Sequence, residues 1–510
     1  MTAEIHPYLT EPDLILLRNL FEDNNDSEDS GAAGPQDSKH DIQPHGHGDS
    51  ETTTTTSTPS QPQESLDEHD RAALRRLKAL NDPNDPQFQP TVFVTWDDKD
   101  IHPLLNEYIV RPYARIASRI VRHPTDVVFL THILLYFTVN LPSAIWLFYR
   151  FSYLHGIAHV AFTFWCTGGF TLMMHNHIHN NGVLSRNWAW LDWTFPYILE
   201  PLMGHTWDSY YYHHVKHHHV EGNGPEDLSS TIRYQRDDVW NFLHYVARFL
   251  FLIWLDLPLY FLRKNKPLLA WKSFISEFAS LAFFAFMTTK IHFQAGIFTL
   301  IIPFCLLRLG LMIGNWGQHA LVDDVDPTSD FRSSITLIDV PSNRFCFNDG
   351  YHTAHHLHPR RHWREQPVHF LQSKHLYAEG RALVFHNIDY LMLTWALLRK
   401  DYARLADCLV PIGEVQRSMN KREIADLLRS KTMAFSEGEI AEKFGKGRTA
   451  TRSGKGGGGG AKILRSASSA AATWKKAVVA RVSSWVPAAL GVMAMGPAGV
   501  EAEGVRSKVQ

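Results

Sequence analysis

The sequence predicts an all-α integral membrane protein: two transmembrane helical hairpins, about four spans, carrying a cytoplasmic helical cap with a histidine-rich site, between disordered tails. Three observations predict it. Long apolar stretches occur in adjacent pairs, histidines are concentrated in a few places, and both ends of the chain are biased in composition.

The ends come first. Residues 22–70 are rich in Asp, Glu, Ser, Gly and Pro, include the run Thr52 to Thr56, and hold too few large apolar residues to offset the entropy of ordering them. Region 1–91 therefore reads as a disordered polar segment, with His40, His45 and His47 as solvated chain. Region 445–510 reads as a low-complexity tail, in which Gly456 to Gly460 mark a flexible basic linker. Residues 477–500 approach the length of a span, but Arg481, Pro487 and Pro497 interrupt them and favour a surface-lying segment. Between the tails lie a membrane domain, 92–411, and a polar helical extension, 412–444, where Ser436 stands three residues before Glu439 as in a capping box.

Formal net charge is −2, and no long basic face is present to neutralise phosphates, which excludes nucleic acid as a partner. Cys166, Cys305, Cys346 and Cys408 are spaced too widely for a disulfide framework or a zinc finger. The amino terminus lacks a secretory pattern and is too acidic for a transit peptide, so targeting falls to internal spans.

Residues 126–149 and 151–174 are each long enough to cross about 30 Å of hydrocarbon and are separated only by Arg150, which makes a helical hairpin. Arg111, Arg115, Arg119 and Arg122 precede it and assign its entry to the cytoplasm. Three apolar stretches follow, near 239–262, 271–289 and 291–314. The first holds Arg248, Asp256 and Pro258 mid-segment, and a charge near the bilayer centre costs about 2.5–3.5 kcal/mol, so it is expected along the interface. The other two form the second hairpin, with Glu277 facing protein or the interface, and both termini are cytoplasmic. The segment from Phe385 to Ile412 is expected to form a cap helix packed on the interface through Ile388, Leu391, Met392, Trp395 and Leu398.

This topology brings the histidines to one face. Of 30 in the chain, nine lie between His175 and His219 and five between His352 and His362, with His319 standing between these groups. His352, His355 and His356 are at i, i+3 and i+4, so their imidazoles fall on one helical face; His214, His217 and His218 repeat the pattern, and His175 and His179 are an i, i+4 pair. Imidazoles so crowded suit Fe, Zn, Cu or Ni, and eight are too many for one tetrahedral zinc, which points to a di-metal site. Two registers stay open in the second cluster, His214, His217, His218 and His214, His218, His219. Regular helical geometry favours the first, and a distorted helix would favour the second. His177 replaces His175 if its segment is extended. His205 is a candidate for the outer layer, as are Glu200, Asp208, Glu221, Asp227, Asp323, Asp324 and Asp349, since bound imidazoles donate their other N–H to carboxylates. His358 and His362 read as packing residues, and Trp207 and Trp316 as interface anchors.

The order His-x3-His, His-x2-His-His, His-x2-His-His over residues 92–411 resembles the membrane fatty acid desaturase superfamily. Asn315, four residues before His319 in "NWGQH", resembles the Asn and additional His of its acyl-CoA branch. The resemblance implies two non-haem Fe ions held by His175, His179, His214, His217, His218, His219, His319, His352, His355 and His356, with Asn315 acting through water. It implies O2 as co-substrate, an acyl lipid or acyl-CoA as substrate and a cis double bond as product; internal spans without a cleavable signal favour the membrane of the endoplasmic reticulum. Electrons come from outside, because the chain has no "HPGG" haem signature and no nucleotide glycine motif; cytochrome b5 is the implied donor, with ferredoxin as the plastid alternative. Rival readings are a lipid or alkane hydroxylase using the same site and, in another class, a zinc-dependent membrane hydrolase of the ceramidase type.

Overall fold

The computed structural model describes residues 5–31 and 66–450. Two helices, Glu11–Gly31 (α1) and Glu68–Ala79 (α2), precede five that are long and apolar enough to cross a membrane: Pro124–Tyr149 (α3), Tyr153–Asn180 (α4), Val239–Arg263 (α5), Pro267–Ile291 (α6) and Phe293–Gln318 (α7). Short helices follow, among them His352–Leu357 (α8), Gln366–Gln372 (α9), Tyr390–Leu398 (α10), Tyr402–Cys408 (α11), Lys421–Ser430 (α12) and Glu437–Ala450 (α13).

α3 and α4 turn back on each other at Arg150–Ser152, and α6 and α7 at His292. The two tips meet: the Phe151 ring packs on Phe298 and His292, and Gly156 is needed because a Cβ there would stand 2.9 Å from the Phe298 ring. Both α3 and α7 widen into a π turn, Tyr136–Asn140 and Ile297–Ile301, just before Pro142 and Pro303. Proline lacks the N–H of the regular ladder and clashes with the preceding turn, and the wider turn accommodates it.

The fifth apolar helix, α5, behaves differently. Tyr245 near its start reaches Ser229 and Asn315, while Tyr260 and Lys264 at its end bond Glu221, and Lys264 also bonds Glu226. Glu221, Glu226 and Ser229 belong to one loop directly after the second histidine cluster, so both ends of α5 stay at the histidine end of the hairpins. A helix held so lies across that end, and its mid-segment charges pair, Arg248 with Asp256 at 3.3 Å. The other four long apolar helices form the two hairpins.

The cap contains one element without a counterpart in the sequence reading. Ile335–Ile338 (β1) and Leu383–His386 (β2) form a parallel two-stranded sheet with Ile335 opposite Leu383, every residue buried. α10 packs through Leu393, Ala396 and Leu397, whereas Leu391, Met392 and Trp395 of the expected apolar stripe are exposed. Trp316 is wholly buried against Tyr245, Phe242 and Tyr234, and donates to the Arg236 carbonyl, so it is a core residue and not an interface anchor. The capping box at Ser436 and Glu439 forms, with Ser436 N–H to Glu439 at 2.7 Å.

The reading of 1–91 as disordered is corrected where it is described. Leu9, Ile15, Leu16, Leu17 and Leu20 of the α1 region and Leu74 and Leu77 of α2 are buried with Phe370, Leu371, Tyr377 and Val384 of the cap. These helices find their apolar partner some 300 residues away, which local composition does not reveal. Lys374 clamps the pair by bonding Asn19, Asp23 and Asp70. The remainder of that reading, with His40, His45 and His47, the polyglycine linker and residues 477–500, lies outside the described residues.

Asp13 connects α1 to the third histidine cluster: fully buried, its Oδ1 accepts from Tyr351 at 2.7 Å and Asn343 at 3.0 Å, and Tyr351 directly precedes His352. Burial raises the Asp13 carboxyl to about 6, against the lowering effect of its hydrogen bonds. A carboxyl that holds its proton more tightly in the folded state adds stability as pH falls through about 6, and the gain is complete below the ordinary carboxylate range. Thermal unfolding of the purified protein is thus expected to gain in Tm between about pH 7 and pH 5 relative to Asp13→Asn; parallel pH profiles would disprove the assignment.

Candidate metal centre

The second histidine cluster is not a regular helix. Tyr211–His218 winds as a π-helix, in which residues five apart share a face, and this turns His214 and His219 to one side. Their Nε2 atoms stand 3.1 Å apart. His217 leaves the site: its Nε2 accepts the Leu228 N–H at 3.1 Å and its ring packs on Tyr260. Of the two registers left open, the π-helical distortion brings His214 and His219 together with His218 in the neighbouring group, whereas His217 groups with His213 and Asp227.

Two groups result. In the first, His175 and His179 from the end of α4 meet His214, His219 and His355. Four Nε2 atoms form a closed ring, His175 to His214 at 2.9 Å, His214 to His219 at 3.1 Å, His219 to His355 at 2.9 Å and His355 to His175 at 3.1 Å. Each such nitrogen has a single in-plane position, a proton or a lone pair, and cannot serve both neighbours as a hydrogen-bond partner. The centre of a square of that side lies about 2.1 Å from each corner, the length of a bond from imidazole to metal. The Nε2 of His179 is buried with no hydrogen-bond partner beside this ring.

In the second group His218, His319 and His356 come together, with His352 Nε2 3.1 Å from His319 Nε2 and its ring on His356. The Nε2 of His356 is likewise buried and unpartnered. Consecutive residues therefore serve different groups, His218 and His219 in one segment and His355 and His356 in α8. Burial first, then neighbouring imidazoles, hold His214, His319, His352 and His355 well below the usual imidazole range. They are neutral, with lone pairs available, as metal ligation requires. Both groups fit metal ions.

The outer layer is selective. Asp227 accepts from His218 Nδ1 at 2.7 Å and is itself held by the Asn223 and Ser229 N–H groups. Burial alone would raise its carboxyl, but its contact with His218 outweighs that and keeps it well below the usual range. Asp330, absent from the sequence candidates, stands 3.5 Å from His356 Nδ1. Glu221 instead pairs with Lys264, and Asp323 with Arg332 and Lys431. Asp208 accepts from Tyr197, and Glu200 from the Asp208 N–H. His177 bonds the Asp192 carbonyl, leaving His175 as the box residue; His362 bonds Asp126 and His358 packs on His369.

A cavity of about 360 Å³ opens from the histidines into the helical body. Leu172, Leu306, Leu311 and Met312 make it mainly apolar; His175, His214, His218, His352 and His355 line its upper end with Asn315. Asn315 donates to the Ser229 carbonyl at 2.9 Å and to the Tyr245 hydroxyl at 2.7 Å, which fixes its orientation at the site. Asp349 lines the cavity too, its carboxyl raised to about 7 by burial and restrained by Gln318. His205 faces Thr171 at 3.2 Å lower down.

Replacing His219 or His355 by Ala is expected to lower the metal bound per chain, while His217→Ala and His177→Ala keep the full complement, as read by elemental analysis of purified protein. Equal loss in His217→Ala would return the register to the regular helix. Asp227→Asn should weaken metal affinity by roughly 10–100-fold through its hold on His218.

Residues 151–387 match a family described as fatty acid desaturase, and this stretch contains all nine histidines of the two groups. No curated protein and no solved structure matches the chain. Among the described residues, five long apolar helices and these histidine groups agree with the match, which makes residues 151–387 similar to a fatty acid desaturase domain.

Proposed function

We propose that the protein is an O2-dependent fatty acyl desaturase that introduces a cis double bond into a membrane lipid or acyl-CoA. The observation that carries this reading is the opening of two adjacent histidine groups onto one apolar cavity within the hairpins. Two iron ions are assigned, one to His175, His179, His214, His219 and His355, the other to His218, His319, His352 and His356, with Asn315 acting through water. When bound, they supply the capacity to use O2 for removing hydrogen from an unactivated chain, which ordinary acid and base side chains lack. In each turnover two hydrogens leave neighbouring chain carbons, and two electrons and two protons from outside complete the reduction of O2 to two waters.

The chain's own residues bind and orient. Leu172, Leu306, Leu311 and Met312 bury the acyl chain and exclude water from the histidine end, and the neutral imidazoles present nitrogen donors without competing protons. Asp227 and Asp330 hold the His218 and His356 rings in place. Electrons are assigned to an external donor, cytochrome b5 or ferredoxin, and the site faces the cytoplasm from the endoplasmic reticulum membrane.

The test is a mass-spectrometric lipid profile, with double-bond location, of a yeast host expressing this chain beside His355→Ala. A new unsaturated species lost in the variant is expected; a hydroxylated species instead would assign oxygen insertion to the same site. Gly310 of α7 lines the cavity and has open space where a Cβ would stand. Gly310→Leu is therefore expected to shift the product profile toward shorter chains, and an unchanged chain-length distribution would exclude this cavity as the acyl site.

A further inference from the structure

The cavity holds one feature that the proposed reaction does not use. Arg308 of α7, Glu277 of α6 and Thr206 meet in its wall. Arg308 and Glu277 are buried, 6% and 3% exposed. Nη2 of Arg308 donates to both Glu277 oxygens, at 2.6 and 2.7 Å, and to Thr206 Oγ1 at 3.1 Å, while Thr206 donates to Glu277 at 3.0 Å. The Phe304 ring covers the guanidinium at 4.5 Å.

The pairing is end-on. An arginine that serves only to fasten a carboxylate presents two nitrogens to two oxygens as a fork. Here one nitrogen takes both oxygens, and Nε and Nη1, rigid donors in the guanidinium plane, make no hydrogen bond among the described residues, in a side chain that lines the cavity. Unused donors in an apolar enclosure call for an acceptor from whatever fills it. Glu277 already neutralises the guanidinium, so a carboxylate or phosphate would leave a net buried charge, whereas an uncharged oxygen would not.

We propose that Arg308, set by Glu277 and Thr206, is a polar subsite for an uncharged oxygen function on the lipid: a hydroxyl on the chain, or the carbonyl of its ester or amide linkage. The proposal rests on the reading of this cavity as the acyl site. Arg308 lies seven residues before Asn315 on α7, about 10 Å along the helix axis. Anchoring an oxygen there sets which carbons come to rest beneath the histidines, so the subsite acts as a ruler for position as well as a filter for substrate.

The test uses membranes containing the full-length metal-loaded protein. They are supplied with an acyl lipid, the same lipid bearing one in-chain hydroxyl, and its ether-linked analogue without the carbonyl. The wild type is expected to favour the oxygen-bearing member of one pair by roughly tenfold or more. Arg308→Lys, which keeps the charge opposite Glu277 but removes the guanidinium fork, and the double variant Arg308→Met with Glu277→Gln should both abolish that ratio. A ratio lost between hydroxylated and plain lipid identifies the hydroxyl; one lost between ester and ether identifies the carbonyl. Should the double variant fail to fold, Arg308→Lys decides. Unchanged ratios with products still formed would overturn the subsite and leave the desaturase reading standing. No product from any lipid with the wild type would overturn the reading of the cavity, and the subsite with it.

Discussion

Four imidazole nitrogens in a closed ring with sides of 2.9–3.1 Å are the constraint on which the rest of the structure depends. Neutral imidazoles do not gather in that way for their own sake, since the ring cannot be closed by hydrogen bonds. They are brought there by three separate parts of the chain. α4 ends at the ring with His175 and His179, the π-helical segment delivers His214 and His219, and α8 adds His355. The π geometry follows as a consequence: a regular turn would aim His219 elsewhere and leave one corner vacant. The parallel strand pair and buried Asp13 hold α8 from behind, so even the N-terminal helix serves the position of the third cluster.

The helical body solves a second problem, that of polar groups in apolar surroundings. Glu277 is matched by Arg308 and Thr206, Arg248 by Asp256, and Lys264 by Glu221 and Glu226. Breaking the buried Glu277–Arg308 pair by removing one partner would leave an uncompensated charge, a loss of about 3–5 kcal/mol, whereas Arg248 and Lys264 are about a third exposed and lose less. Buried Arg236 is a further case, tying Ala320, Lys431 and Met433 carbonyls together from one guanidinium. These pairings let α5 lie across the end of the hairpins while α6 and α7 carry a cavity between them.

Under the proposed function, metal affinity and lipid selectivity fall at different depths of one cavity. At its upper end stand crowded imidazoles, of which His218 and His356 have their other nitrogen steadied by Asp227 and Asp330. Two turns lower on α7 it is that of a guanidinium with unused donors. Apolar residues separate the two, so that a bound chain would run from one to the other with little contact with water.

By itself the sequence determined that histidines at metal spacing would be carried on one face of paired hairpins, because clustering, apolar length and charge placement are local properties. His175, His179, His218, His319, His352, His355 and His356 were all legible in that way. Only the tertiary structure decided that His219 enters and His217 leaves, since the π turn is set by packing of the whole segment and not by its spacing. It alone joined Glu277 to Arg308, 31 residues apart, and Asp13 to Tyr351, 338 apart. It also ordered α1 and α2, whose apolar faces are too small to hold without the cap they cover. The common physical reason is that a buried charge or apolar stripe declares its need for a partner in sequence, whereas the partner's identity is fixed only when distant segments pack.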